Sequence, residues 1–154
     1  MITLQPMNET DFQAYMDKAI PNYAQEKVQA GNWSVEEALE RSRQEYESYL
    51  PQGVHTPGHF LFMLVNETGE KTGFLWYARQ PKQPEWGFIY DFEVYQAFRR
   101  RGYASQALAL LEQDARRQGL KKLELHVFGH NIAARGLYKK AGFVETNIMM
   151  LKEL

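Results

Sequence analysis

The sequence contains no cysteine among its 154 residues. This absence excludes a disulfide framework, a zinc–thiolate site, an iron–sulfur cluster and a cysteine nucleophile. The longest uninterrupted apolar run, Phe60 to Val65, is far too short to cross a bilayer. The first residues, MITLQPMNETDF, lack the basic start and the apolar stretch of a secretory signal peptide. A cytoplasmic location and no membrane partner are therefore the default expectations.

What is present is the composition of an ordinary globular protein. Hydrophobic residues make up 44% of the chain and charged residues 24%, a balance that is typical of soluble domains. A chain of this length is expected to form one domain over residues 1–154 and to bury a substantial core without covalent cross-links.

Charge is unevenly distributed, although the net charge is only −1. Residues 1–50 carry nine acids and four bases, whereas residues 96–122 carry seven bases and two acids. An acidic half and a basic patch favour two different ligands; the alternative is that both sets of charges simply solvate helix faces. The pI of about 6.4 and the local clustering of the bases argue against nucleic acid as the partner.

Hydrophobic periodicity and turn residues predict the order of helices and strands. Helical spacing follows a cap at Asn8–Asp11 and again the capping box Ser34–Glu37, and Pro21 is expected to kink or end the first helix. Strands are predicted over 2–4, 59–66, 72–79, 86–95, 123–128 and 143–151, with helices over 8–30 in two pieces, over 34–50, between 102 and 119 and from 131 to 137. This order indicates an α/β sheet with helices packed on it.

A basic segment, Phe98-Arg-Arg-Arg-Gly-Tyr-Ala-Ser105, lies between a predicted strand and an apolar helix. Gly102 permits a tight turn and a close approach of the backbone to a ligand. The free N–H groups at the start of a helix bind anions, and the three arginines add charge-assisted donors. Together these features favour a pyrophosphate-bearing ligand, although the segment is neither a Walker A loop nor a G-x-G-x-x-G motif.

Two motifs carry a family resemblance. Arg99-x-x-Gly102-x-Ala104 resembles the R/Q-x-x-G-x-G/A signature of the GCN5-related N-acetyltransferase (GNAT) family. The run Asn131-Ile-Ala-Ala-Arg-Gly-Leu-Tyr138-Lys-Lys-Ala-Gly142-Phe143 resembles that family's second signature, N-x-x-A-x-x-L-Y-x-K-x-G-F. The two signatures occur in the family's order, with a helix and a strand between them. The match is densest over residues 86–143, and Ala104 stands where many members have glycine.

The resemblance implies an α/β fold with a mixed, twisted β-sheet, helices on both faces and an opening between the fourth and fifth strands. In the family, that opening accepts the pantetheine of acetyl-CoA, the acyl donor. The helix start at 101–105 then holds the pyrophosphate through its backbone N–H groups. Asn131 contacts the pantetheine in this reading, and it can at the same time be a plain helix N-cap. The implied cofactor-binding residues are Phe92, Val94, Arg99, Arg100, Arg101, Gly102, Tyr103, Ala104, Ser105, Asn131 and Tyr138.

The catalytic residues are also implied by the resemblance. Tyr138 matches the family's usual general acid, which protonates the leaving thiolate; the alternative is an aromatic side chain packed in the core. The attacking amine must lose a proton, and a His or Glu suits that task near neutral pH. His126 is the first candidate base, because strand alternation points it away from three apolar neighbours, and Glu93 is its rival. In the third alternative the amine loses its proton to solvent. No cluster has metal-ligand spacing, so no metal is predicted.

The function implied is an N-acetyltransferase that moves the acetyl group of acetyl-CoA to a primary amine by direct attack in a ternary complex. Two alternatives stay open: a catalytically silent acyl-CoA-binding sensor or regulatory domain, and a nucleotide-phosphate or nucleic-acid binder. The acidic, aromatic N-terminal half is expected to attract a cationic acceptor, either a small molecule or a protein. The natural acyl group and the existence of a homodimer are left open.

Overall fold

The computed structural model describes all 154 residues and contains five strands and four α-helices. The strands are β1 (Ile2–Pro6), β2 (His59–Asn66), β3 (Lys71–Gln80), β4 (Gln83–Val94) and β5 (Lys122–Leu125). The helices are α1 (Glu9–Gln29), α2 (Val35–Tyr49), α3 (Tyr103–Arg117) and α4 (Ile132–Lys140), with 3₁₀ turns at Gly53–His55 and Gln96–Phe98. None of the helices combines the length and the apolar character that a membrane crossing requires.

The five strands form one sheet in the order β1-β2-β3-β4-β5. Neighbouring strands are antiparallel except β4 and β5, which run parallel over Trp86–Ile89 and Lys122–Leu125. Beyond Ile89 and Leu125 these two strands are no longer paired, so the sheet opens between its fourth and fifth strands. The expected α/β fold with a mixed, splayed sheet is confirmed.

Helices cover both faces of the sheet, and each face has its own core. Alternation along β3 sends Leu75 and Tyr77 to the face covered by α3, and Phe74 and Trp76 to the face covered by α1 and α2. All four side chains are buried. The central strand therefore anchors both layers of helices and fixes the position of β4 beside it.

The first two helices begin at the predicted caps. The Asn8 side chain accepts the Asp11 N–H at 2.7 Å, and the Asp11 carboxylate accepts the Asn8 N–H at 3.3 Å. At the start of α2 the Glu37 carboxylate accepts the Ser34 N–H at 3.3 Å. These bonds satisfy backbone donors that a helix start otherwise leaves free, so each helix begins at a defined residue.

Pro21 does not end the first helix, because α1 continues to Gln29. Pro21 has no N–H to donate to the carbonyl of Asp17, one turn earlier. Both residues are exposed, so water can hydrate that carbonyl. Buried residues on either side of the proline, Ile20 and Ala24, pack against the rest of the protein and hold the helix together.

The connection between β3 and β4 is shorter than the predicted loop around Pro81 and Pro84. Strand β3 runs to Gln80 and β4 starts at Gln83. Pro84 lies at the exposed start of β4, a position where a strand tolerates a missing N–H. Its carbonyl accepts a hydrogen bond from the Arg79 guanidinium, which closes the hairpin.

The C-terminal region departs most from the prediction. The strand predicted over 123–128 ends at Leu125, because β5 loses its partner where β4 turns away. The strand predicted over 143–151 does not form, and the residues from 144 to 154 are all exposed. A strand needs a neighbour to pair its backbone groups, and this segment pairs with no strand of its own chain.

Candidate active site

The opening between β4 and β5 leads into a cleft of about 1210 Å³. One wall is β4 from Ile89 onward, and the facing wall is the chain from Leu125 to Phe128 together with α4. Residues of α1 and α2 close the remaining side. The two walls come from strands that separate beyond Ile89 and Leu125. The cleft is therefore a direct consequence of the splayed sheet.

A β-bulge in β4 places polar side chains in this cleft. Trp76 of β3 pairs with Asp91 and the next residue, Tyr77, pairs with Ile89, so Tyr90 is an extra residue in β4. A bulge bends its strand and increases the local twist. Both Tyr90 and Asp91 line the cleft, on the part of β4 that is no longer paired with β5.

Asp91 is the most perturbed carboxyl group of the cleft. The Tyr15 phenol donates to Asp91 Oδ2 at 2.7 Å, and the Phe92 N–H donates to Oδ1 at 3.0 Å. Burial outweighs these two bonds and raises the pKa of Asp91 to about 6, and the charges of Glu93 and Glu26 act in the same direction. At pH 7 the carboxylate is mostly ionised, with a basicity suited to accepting a proton.

Tyr138, on α4, faces the cleft and also contacts the core on the α3 side of the sheet. Its ring centroid lies 6.5 Å from that of Phe92 and 5.6 Å from that of Phe143. Burial, and after it the charge of Asp91, raises the pKa of the phenol to about 12. The phenol therefore keeps its proton at neutral pH and can donate it.

The two predicted bases both reach the cleft. His126 lies just beyond the end of β5 and is exposed, with its ring edge against Phe128 at 4.9 Å between centroids. Partial burial and the positive charge of Lys27 lower its pKa, so the ring is neutral at pH 7. Glu93 is engaged differently, because the Arg99 guanidinium approaches its carboxylate at 3.5 Å.

The loop before α3 has the backbone of an anion site. Arg100 has φ 62° and Gly102 has φ 79°, both in the left-handed region. The first hydrogen bond within α3 runs from the Gln106 N–H to the Gly102 carbonyl. The N–H groups of residues 103–105 are therefore the free donors of the helix start, where the positive end of the helix dipole favours a phosphate.

Several side chains of this loop are already engaged within the protein. Arg99 Nε donates to a carbonyl of β4 at 2.9 Å, and the Arg101 guanidinium lies over the Phe98 ring at 5.5 Å. The Tyr103 side chain is buried in the core. An anion would therefore find mainly backbone N–H groups, together with the exposed side chain of Arg100.

Of the other predicted contact residues, Phe92, Val94, Ala104 and Asn131 line the cleft. The Asn131 Oδ1 accepts the Ala134 N–H at 3.3 Å, so Asn131 is the N-cap of α4 while it faces the cleft. No three His, Asp or Glu side chains lie close enough together to hold a metal ion.

The wall formed by α1 and α2 is aromatic and acidic. Tyr49 of α2 lies against Tyr90 of β4, with 4.9 Å between ring centroids, and Tyr90 in turn stacks on Trp76 of β3 at 4.5 Å. Glu26 and Glu45 line the same region. The aromatic residues of the N-terminal half are divided between two roles: Tyr15, Trp33 and Tyr46 are buried, whereas Tyr49 is 41% exposed.

Sequence analysis missed Asp91 and the pairing of Glu26 with His130. A carboxylate in the apolar stretch from Trp86 to Tyr95 is the signal that points to Asp91. No signal connects Glu26 with His130, whose side chains approach to 3.9 Å only because the end of α1 faces the chain after β5.

Comparison with known proteins places this geometry in a family. A model of the Acetyltransferase (GNAT) family matches residues 22–143. The chain is 45% identical over 154 residues to the uncharacterized N-acetyltransferase YycN of Bacillus subtilis, covering 99% of each protein. It is 40% identical over 153 residues to the uncharacterized N-acetyltransferase YdgE of the same species, covering 99% of this chain and 98% of the relative.

Solved structures show the same similarity in three dimensions. The crystal structure of YycN matches with a TM-score of 0.95 and 44% identity, covering 100% of this chain and 99% of that one. An acetyl transferase from Pyrococcus furiosus matches with a TM-score of 0.67 and 26% identity, over 100% and 99% of the two chains. Since the family model spans most of the chain and its two signatures border the opening in the sheet, this protein belongs to the GNAT family of N-acetyltransferases.

Proposed function

We propose that this N-acetyltransferase transfers the acetyl group of acetyl-CoA to a primary amine by direct attack in a ternary complex. The observation that carries the proposal is the convergence on one cleft of the free N–H groups at the start of α3, the unpaired part of β4 and the Tyr138 phenol. Each of these groups suits a different part of the acetyl-CoA molecule.

The residues present fit acetyl-CoA, which supplies the acyl thioester when bound. The N–H groups of residues 103–105, which are free at the start of α3, would hold the pyrophosphate. After Ile89, the edge of β4 that faces β5 is unpaired, so backbone N–H and C=O groups of Phe92 to Val94 are free to bond the pantetheine amides. Asn131 would add a side-chain contact from the opposite wall.

Two proton movements complete the proposed reaction. Tyr138 donates its proton to the departing thiolate, and Asp91 accepts the proton that the attacking amine loses, directly or through a water molecule. The charge of Asp91 contributes to the raised pKa of the Tyr138 phenol, which supports the proposal that the two groups act in one site. His126 and Glu93 are the rival proton acceptors.

The acceptor we propose is a cationic amine. Glu26 and Glu45 lie on the wall formed by α1 and α2, and they attract a positive charge. The ring face of Tyr23 on this wall also suits a cation, since the Lys27 ammonium already lies 5.6 Å from its centroid. An acceptor protein would extend further along this wall than a small-molecule amine.

The proposal is tested by measuring thiol release from acetyl-CoA with a panel of amines, in the wild type and in Tyr138→Phe. The substitution keeps the ring and removes the proton donor, so kcat should fall about a hundredfold to ten-thousandfold while the Kd for acetyl-CoA stays nearly constant. Tyr77→Phe is the matched control, because Tyr77 is buried on the α3 side of the sheet, outside the cleft. It should retain turnover.

Two other outcomes would contradict the proposal. Tight binding of acetyl-CoA without thiol release for any amine would favour the catalytically silent acyl-CoA-binding domain. Full turnover in Tyr138→Phe would remove Tyr138 from the mechanism and leave positioning of the two substrates as the source of the rate.

A further inference from the structure

The C-terminal part of the chain lacks a core of its own. Leu120 is the last buried residue, and none of the 34 residues after it is buried. Seven of the eleven large hydrophobic residues that are exposed in the whole protein lie in this part: Ile132, Val144, Ile148, Met149, Met150, Leu151 and Leu154. Met149 and Met150 are 96% and 94% exposed. Monomeric proteins rarely leave so many neighbouring apolar side chains in water.

The total surface area leads to the same conclusion. The accessible surface of the chain is 10312 Å². A folded monomer of 18.0 kDa is expected to expose about 8,000 Å². The excess of about 2,000 Å² is of the size that each partner of an obligate homodimer buries, since such interfaces cover about 2,000–5,000 Å² in total.

The sheet offers a place for this exposed segment. Strand β5 is the last strand of the sheet, and its outer edge has no neighbour, so its backbone groups are available to another strand. The C-terminal segment, which we define as residues 144–154, has the composition of a strand but no partner. Its four consecutive apolar residues, Ile148 to Leu151, are typical of a strand that is buried on both faces.

The segment does not reach that edge within its own chain. Glu145 forms ion pairs with Arg135 and Lys139 at 3.4 Å, which hold the start of the segment beside α4. Further along, Leu151 lies next to Gly31, in the turn between α1 and α2. The side chains between these two points project into solvent.

We propose that two copies of this chain exchange their C-terminal segments, and that each segment adds a strand to the outer edge of the partner's β5. A two-fold axis makes the exchange reciprocal, so one symmetric contact covers both edges and both segments. The exchange buries apolar side chains that a single chain leaves exposed. The added strand also supports β5, which precedes His126, and α4, which carries Tyr138. The second copy therefore completes this wall of the cleft.

The first test is the mass of the wild type in solution, by light scattering after size-exclusion chromatography at micromolar concentration. We expect twice the 18.0 kDa of one chain. Replacing both Met149 and Met150 by glutamate should give the single-chain mass. Val35→Glu is the matched control, because Val35 is 74% exposed and lies on α2, and it should keep the double mass. A monomeric wild type, or a dimer that survives the double substitution in a folded chain, would overturn the proposal.

The second test uses the absence of cysteine and needs no disruptive substitution. Glu124→Cys is placed in β5 of an affinity-tagged chain. Ile148→Cys, Met149→Cys, Met150→Cys and Leu151→Cys are placed one at a time in untagged chains, which are mixed with the tagged chain during refolding. At least one mixture should form a disulfide between tagged and untagged chains, and Val35→Cys should form none. A dimer in which no segment position cross-links to Glu124→Cys would show that the segment does not cover the partner's β5.

Neither test depends on catalysis, so failure of the proposed acetyl transfer leaves this proposal standing, and the reverse also holds. A segment that folds back onto its own β5 gives a different result, because it yields the single-chain mass and no disulfide between chains. That outcome would overturn the exchange.

Discussion

Tyr15 of α1 donates its phenolic proton to Asp91 of β4 at 2.7 Å. The bond favours the ionised carboxylate and lowers the pKa of Asp91, while burial acts the other way and raises it to about 6. Tyr77 makes a similar phenol–carboxylate bond to Asp114 of α3, in the core on the other face of the sheet. Of the two carboxylates, Asp91 lines the cleft and Asp114 does not. Removing each bond in turn therefore distinguishes an effect on catalysis from an effect on stability.

Tyr15→Phe should move the acidic limb of kcat/KM to higher pH. Without the phenol the charged form of Asp91 loses a hydrogen bond, so its pKa rises and the proton acceptor is lost at a higher pH. Tyr77→Phe should leave the limb in place, although each substitution should lower the free energy of unfolding by about 1–3 kcal/mol. Rate profiles against pH and urea melts of both variants check this. A limb that stays in place in Tyr15→Phe would show that Asp91 does not govern the rate.

The bond between Tyr15 and Asp91 also shows where sequence reasoning stops. The two residues are 76 positions apart, and no local spacing reports that α1 crosses the bulged part of β4. By contrast, Gly102, Asn131 and Tyr138 belong to local motifs, and they lie at the predicted helix start, helix cap and helix face. Site residues that belong to local motifs can therefore be predicted from the sequence, whereas the identification of Asp91 as the proton acceptor requires knowledge of its tertiary contacts.

The two largest errors in the fold have related causes. Pro21 breaks a local rule for helices, but packing of the residues around it outweighs the loss of one hydrogen bond. Residues 143–151 satisfy local preferences for a strand, but a strand forms only beside a partner, and this segment pairs with no strand of its own chain. In both cases the local residues have the propensity that was inferred from them, but contacts with residues distant in the sequence decide the structure.

Asp91→Asn should stabilise the fold at neutral pH. The pKa of this carboxyl rises from its ordinary 3.8 to about 6 on folding, so the folded chain binds the proton more tightly than the unfolded chain. The stability from that proton is fully present below pH 3.8 and is lost as the pH rises through about 6. Asparagine carries no charge at any pH, so the variant should gain about 1–3 kcal/mol at neutral pH and nothing in acid.

Urea midpoints of the wild type and Asp91→Asn, measured at neutral pH and again below the unfolded pKa, check this expectation. The difference between the two proteins should shrink as the pH falls. A variant that is no more stable than the wild type at neutral pH would show that the buried charge is compensated by its hydrogen bonds. Greater stability with lower activity is the trade-off expected of a functional buried carboxylate.

Gly102→Ala should weaken acetyl-CoA binding, whereas Gly119→Ala should not. The two glycines lie at opposite ends of α3 with φ 79° and 82°. A Cβ at Gly102 would come no closer than 3.8 Å to Gln106 Nε2, and one at Gly119 would meet nothing within 4 Å. Both variants should therefore lose about 1–2 kcal/mol of stability through left-handed strain alone, and only the first changes the anion site.

The difference is measured by thermal melts with and without acetyl-CoA. Ligand at a hundred times its Kd adds about 2.7 kcal/mol to the free energy of unfolding, which should appear in the wild type and in Gly119→Ala. The shift should be smaller in Gly102→Ala. Equal shifts in the two variants would show that the start of α3 does not bind the pyrophosphate.

The acidic limb of kcat/KM distinguishes the three proton acceptors in the cleft. A protonated base cannot accept a proton from the amine, so activity falls as the pH drops through the pKa of the base, which is about 6 for Asp91. Asp91→Asn should remove the limb and lower kcat/KM about a hundredfold or more. His126→Ala and Glu93→Gln should keep it. If His126→Ala removes the limb instead, the imidazole is the base, and its lowered pKa keeps it neutral at working pH. If all three variants keep it, the amine loses its proton to solvent and the cleft accelerates the reaction by positioning alone.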